Sequence, residues 1–280
     1  MKTLTNAQLE RYREQLLRQE ERAASTVEKY LHDLRRFAVW LSGRELTREA
    51  AVAWKAQLLR ENKAPATVNA ALSALNGLLT FLGRGECRVR FLKVQRSAFR
   101  DERRELTRRE YDRLIQTAER QGKERLALVM ETICACGIRV SETGYITVEA
   151  AMRGEAQVRL KGKSRTVLLP GKLCRKLLKY ARRRGIARGP VFRTRQATAL
   201  SRKQIWAEMK ALCPAAGVER SKVFPHNLRH LFATVYYRTY RDLVKLADIL
   251  GHSSVNTTRI YLVTTGKEHQ RQLEGLHLVS

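Results

Sequence analysis

The sequence predicts a mainly α protein of two domains that carries one small antiparallel β-sheet. Three observations lead there. Behind N-capping residues, apolar side chains recur at helical spacing over most of the chain. Between residues 145 and 170 that period gives way to alternation in β-branched residues. A charge-dense, aperiodic segment, ECRVRFLKVQRSAFRDERR at 86–104, separates two helical regions.

Residues 1–90 read as a four-helix bundle. Thr5-x-x-Gln8 and Ser25-x-x-Glu28 are capping boxes, each ahead of an apolar-periodic run. In the second run Val27, Tyr30, Leu31, Leu34, Phe37, Ala38 and Leu41 form one stripe, and Gly43 ends it. Thr47 caps a third helix. Pro65 suits the first turn of a fourth, which stops at Gly83 and Gly85. Residues 91–104 form the linker, 105–265 the second domain and 266–280 a tail.

In the second domain Thr107-x-x-Glu110 caps EYDRLIQTAER, and LALVMETICAC runs as a helix into Gly137. YITVEA, AQVRLKG and KSRTVLLP read as short strands, with a hairpin turn at Lys161-Gly162-Lys163-Ser164. Helices follow at RKQIWAEMKALCPAAG, from His226 to Tyr240, at RDLVKLADILGH and from Ser254 to Tyr261. The tail carries Leu273, Leu276 and Leu278, too few residues to fold alone.

The charge of 55 − 27 = +28 over 280 residues points to a polyanionic partner, most simply nucleic acid. From Ala156 to Ala207 sixteen basic residues stand without one acidic residue, which reads as a phosphate-backbone surface. Lys163, Arg165, Arg182, Arg183, Arg184, Arg193, Arg195, Arg202 and Lys203 are its candidate DNA contacts. The N-terminus lacks an apolar signal core, and the run LALVM is stopped by Glu131, so no membrane partner is expected. Five scattered cysteines read as reduced thiols of a cytoplasmic protein, and the lone C-x-C at Cys134 and Cys136 is a poor metal site.

Chemistry gathers in three stretches: ACGIRVSE with Arg139 and Glu142, HNLRH with His226, Arg229 and His230, and LGHSSVNTTRIY with His252 and Tyr261. A phenol nucleophile beside guanidinium forks suits a phosphodiester, because arginine meets phosphate oxygens bidentately and keeps its charge. His226 and His230 stand at i, i+4 like a zinc pair, but Asn227 occupies the place where a metalloprotease needs glutamate.

These stretches resemble the arginine boxes and tyrosine motif of the tyrosine recombinase (phage integrase) family, over about residues 105–263. ERAASTVEKYLHDLRRFAVWL is similar to the start of that family's core-binding domain, as in Xer-like two-domain members. The resemblance implies a C-shaped clamp on double-stranded DNA, made of a core-binding bundle and a catalytic domain. It implies that Arg139 and Arg229 hold the scissile phosphate and that Lys161 protonates the leaving 5′ oxygen, with Lys163 as the alternative. His226 would be acid/base, His252 would hydrogen-bond the phosphate, Glu142 would orient the site and Tyr261 would form the 3′-phosphotyrosyl link. No metal or other cofactor is required. The partners implied are specific recombination sites and a homo-tetramer on paired sites, with a Holliday-junction intermediate and a bacterial, nucleoid-associated setting. LVTT after Tyr261 and SETGYITV after the first box depart from the family's usual continuations. No arm-binding module precedes the bundle, which fits a minimal, two-domain recombinase.

Overall fold

The computed structural model describes residues 4–94, 104–160, 163–194, 196–252, 254–261, 270–271 and 273–276. It divides into two compact units, Met1–Arg96 and Ser97–Ser280. Among the described residues no helix is long and apolar enough to cross a membrane.

The first unit is built from α1 (Asn6–Arg18), α2 (Ala24–Leu41), α3 (Arg48–Arg60) and α4 (Pro65–Phe81). Thr5 and Gln8 close a capping box on α1, and Thr47 caps α3 through its side chain. Ser25 does not cap α2, because the helix starts earlier, with Ala23 at the N-cap and no side-chain bond there. The stripe of α2 buries Val27, Leu31, Leu34, Phe37 and Leu41, while Tyr30 and Ala38 stay half-buried at its edge. Phe37, Trp40 and Trp54 pack their rings at 5.3–6.1 Å. A Cβ at Gly77 would overlap the Tyr12 hydroxyl, so this glycine lets α1 close on α4. Two asparagines two turns apart on α4 lace down the chain beyond it. Asn76 exchanges two bonds with the Val89 backbone (2.9 and 3.0 Å), and Asn69 does the same with Leu92 (2.9 and 2.8 Å). Each amide satisfies one N–H and one C=O of an extended segment.

The second unit is arranged around a buried helix. α5 (Arg108–Arg120) opens with the Thr107–Glu110 capping box. α6 (Glu124–Cys136) is buried on almost every face, with Leu126, Ala127, Leu128, Val129, Met130, Thr132, Ile133 and Cys136 all in the core. A helix apolar all round sits in the centre of its domain. Gly137 ends α6 at φ 61°, and a Cβ there would meet the Phe232 ring at 2.5 Å, so both conformation and space demand glycine.

YITVEA is not a strand. Thr147 instead caps α7 (Val148–Arg153), and only Thr147 itself bridges to Pro190. Its β-branched residues satisfy a capped turn as readily as a pleat, since the Thr147 hydroxyl accepts from the Ala150 N–H at 3.1 Å. The sheet therefore has two strands, β1 (Glu155–Leu160) and β2 (Lys163–Leu168), antiparallel with Val158 opposite Arg165. Lys163 and Ser164, read as part of the turn, belong to β2; Lys161 and Gly162 lie outside the described residues.

α8 (Gly171–Arg183) follows, an element hidden within the basic run. Its buried face is Leu173, Cys174, Leu177, Tyr180 and Ala181, a period the sequence does contain. The remaining helices are α9 (Arg202–Ala216), α10 (Pro225–Tyr240), α11 (Leu243–Leu250) and α12 (Val255–Thr258), with a 3-10 turn at Arg259–Tyr261. In the tail, Leu273 and Leu276 are exposed; Leu278 lies outside the described residues.

Candidate active site

Local chemistry at the end of α11 sets up the site. Gly251 adopts φ 63°, its N–H bonds Asp248 O at 2.9 Å, and the His252 N–H bonds Ala247 O at 3.0 Å. This is a Schellman ending, in which glycine turns the chain and satisfies the earlier carbonyls. The carbonyls of Ile249, Leu250 and Gly251 each accept from a different arginine. Arg165 donates to Ile249, Arg229 to Leu250 at 2.7 Å, and Arg139 to Gly251 at 3.5 Å. A helix C-terminus carries partial negative charge and suits such cations.

Arg139 sits at the start of a 3-10 turn, Val140–Tyr145, and its side chain is open to solvent. Glu142, one turn on, is 1% exposed. One of its oxygens accepts from Arg139 Nη1 at 3.0 Å. The other accepts from the Arg139 N–H at 2.8 Å and from Arg165 Nη2 at 2.7 Å. Burial pushes the Glu142 carboxyl up, but the Arg139 N–H and the Arg165 charge outweigh it and hold it below the usual range. Glu142 is thus an anion that aims two guanidiniums.

Arg229 lies on α10, 2% exposed. Its fork spans the Gly137 carbonyl at the end of α6 and the Leu250 carbonyl at the end of α11. Burial and the Arg139 charge lower it to about 10, still a cation at neutral pH. Arg229 Nη2 also lies 3.0 Å from His252 Nε2. Arginine can only donate, so His252 Nε2 accepts and its proton stands on Nδ1, 2.8 Å from the buried Thr258 hydroxyl. Burial and the charges of Arg229, Arg139 and Arg165 lower His252 to about 4, so this imidazole is neutral. His226, at the exposed start of the same face of α10, is also lowered, by desolvation and then by Arg229, Arg139 and Arg202.

Tyr261 is 4% exposed and packs with Ala233, Leu246 and Leu250. Its ring meets His230 edge-on at 4.8 Å and lies parallel to His252 at 6.2 Å. The three stretches that carry Arg139, Arg229 and Tyr261 are therefore drawn together at the ends of α6 and α11, with Arg165 of β2 between them.

Lys161 and Arg195 lie outside the described residues, as does the Lys163 side chain. Arg182, Arg183, Arg184, Arg202 and Lys203 are exposed and Arg193 is half-buried. Arg165 differs from the surface role expected of it. Its side chain is 17% exposed, and both its Nη atoms are spent inside the site. The basic run also has counter-charges after all, contributed from outside it. Lys176 pairs with Glu131 at 2.5 Å and Glu119 at 3.8 Å, Arg183 pairs with Glu124, and Arg165 with Glu142.

A family model described as the phage integrase family matches residues 104–268, more than half of the chain. The chain belongs to the phage integrase family. It is a tyrosine recombinase, an enzyme that breaks and rejoins DNA at specific sites without metal or ATP. A second model, the family's N-terminal SAM-like domain, matches residues 9–86 of this recombinase. It is 30% identical over 283 residues to tyrosine recombinase XerC of Roseiflexus castenholzii, covering 91% of this chain and 88% of the relative. Its fold is shared with a XerH site-specific recombinase bound to its difH substrate before cleavage. That match has a TM-score of 0.72 at 20% identity and covers 98% of this recombinase and 85% of that chain. The fold is also that of a lambda integrase tetramer bound to a Holliday junction. Here the TM-score is 0.72 at 20% identity, over 91% of this recombinase and 76% of that chain. Thr258 and Gly251 escaped the sequence reading although they stand inside its tyrosine motif, because nothing in their types signals the contact each makes.

Proposed function

We propose that this recombinase cuts one strand at a time through a 3′-phosphotyrosyl link at Tyr261 and exchanges strands through a Holliday junction in a tetramer. The observation that carries the reading is the convergence of Arg139, Arg229 and His252 on the end of α11, with the Tyr261 ring alongside. The scissile phosphate lies between an exposed guanidinium, Arg139, and a buried one, Arg229, fixed in place before substrate arrives. Charge that develops on the non-bridging oxygens then meets cations that need no reorganisation. The Tyr261 oxygen attacks phosphorus, the bond from phosphorus to the 5′ oxygen breaks, and Lys161 or Lys163 protonates the departing oxygen. Neutral His226 takes the phenol proton. The anionic phosphate favours protonation of His252, whose Nε2 then donates to it. A 5′-hydroxyl from the partner duplex reverses the steps and reseals the strand.

The tetramer is supported by the likeness to the lambda integrase assembly and by the exposed Leu273 and Leu276, at 56% and 57%, which a neighbouring subunit would cover. Action on the nucleoid, in the cytoplasm, follows from this reading.

The test is covalent capture. The protein is mixed with nicked duplexes of random core sequence, so that the 5′ fragment diffuses away and the adduct accumulates. Duplexes retained after SDS and phenol are sequenced. A defined site with protein on a 3′ end is expected, and two copies of it should recombine. Relaxation of supercoiled DNA without recombination would make this a topoisomerase-like monomer instead.

The basic surface has its own expectation. Log affinity for the captured duplex should fall linearly with log salt. Changing Arg182, Arg183 and Arg184 together to Gln should flatten that slope by about 0.9 for each arginine that meets a phosphate. An unchanged slope assigns the triplet to a solvated face.

A further inference from the structure

We propose that Arg165 is a positioning residue of the recombination reaction: it ties strand β2 to the carboxylate and the helix end that aim Arg139 and Arg229. The proposal rests on the reading of the site given above. Arg165 turns its guanidinium inward, away from the surface. Nη2 is on Glu142 at 2.7 Å, Nη1 is on the Ile249 carbonyl, and Nε is buried without a partner among the described residues. Its stem crosses Gly251 so closely that a Cβ there would stand 2.5 Å from Arg165 Cδ. The chain has kept that space open at the residue whose turn presents His252.

The two partners of Arg165 belong to different parts of the clamp. Glu142 holds Arg139 by two bonds, 2.8 and 3.0 Å. Ile249 precedes the carbonyl that holds Arg229 at 2.7 Å. One planar fork therefore fixes the anion behind the exposed arginine and the helix end beneath the buried one. Lysine carries its three donors on one nitrogen and lacks the planar fork that spans both partners. A displacement of about 1 Å at a site remote from the chemistry can cost about 10²-fold in rate. Arg165 is placed to set such a displacement for both guanidiniums.

Arg165→Met and Arg165→Lys are compared with wild type on the captured duplex, by DNA affinity, by adduct formation rate and by the pH dependence of that rate. Affinity is expected within about twofold of wild type, since Arg165 touches no phosphate in this proposal. The Met variant should form adduct about 10²-fold more slowly, and the Lys variant should fall between. The groups facing Glu142 are Arg139 from its own turn, Arg165 from β2 and Arg229 from α10. Without Arg165 the carboxylate is held less strongly as an anion, so it protonates at higher pH and activity is lost earlier on acidification. The acid limb therefore moves up in Arg165→Met, and adding Glu142→Gln removes the carboxylate's part of that shift, leaving what His226 and His252 contribute.

Wild-type rate and limb in both variants overturn the proposal. So does a slower enzyme with an unmoved limb, which would indicate packing alone. Loss of folding in both variants also overturns it and makes Arg165 a folding residue. Failure of the proposed function looks different, because wild type itself then forms no adduct.

Discussion

Tyr261→Phe is expected to bind the captured duplex with wild-type affinity and to form no SDS-resistant adduct. The substitution removes one oxygen and leaves the ring, so the packing against Ala233, Leu246, Leu250 and the two histidines survives. Only the atom that would attack phosphorus is missing, so the effect on covalent chemistry is all or none. Folding is checked by thermal melting, which should stay close to wild type because the hydroxyl contributes little to the buried apolar area. Adduct recovered with this variant would take the nucleophile away from Tyr261.

Arg139→Ala and Arg229→Ala should each slow adduct formation by about 10²–10³-fold or more, the scale on which a single transition-state donor is worth that much. They should part company in stability. Arg229 is 2% exposed and satisfies the carbonyls of Gly137 and Leu250. Its removal orphans both, and each buried group left unpaired costs about 1–3 kcal/mol. Arg139 is exposed, and Glu142 keeps Arg165 when Arg139 is truncated, so that variant should melt near wild type. Cleavage rates measured beside melting curves separate the two roles. Near-wild-type cleavage in both variants would dissolve the clamp. Equal losses of melting temperature would contradict the buried seat of Arg229.

Much of this site was legible because its parts are short and local. Thr5 with Gln8 and Thr107 with Glu110 lie three residues apart, and the caps they form need no distant partner. The arginine boxes and the tyrosine motif are likewise runs of a dozen residues or fewer. Where a local signal misled, a competing local signal was available. Ser25-x-x-Glu28 has the form of a box, but α2 begins ahead of it at Ala24. YITVEA has strand residues, but its threonine caps a turn. Helix α8 lies inside the basic run, where lysines and arginines interleave with the apolar period Leu173, Cys174, Leu177, Tyr180 and Ala181.

The sequence alone determined the two-domain helical plan, the strand-forming interval and which arginines, histidines and tyrosine are candidates for the chemistry. Only the tertiary structure decided what each of those charges touches. Arg165 reaches Ile249 across 84 residues, Arg229 reaches Gly137 across 92 and Arg139 reaches Gly251 across 112. A hydrogen bond acts over about 3 Å of space, whatever the separation along the chain. Whether a basic residue faces a phosphate or a buried carboxylate is therefore settled by packing. In the sequence Arg165 and Arg182 look alike; in the fold one is spent on Glu142 and the other stands open to solvent.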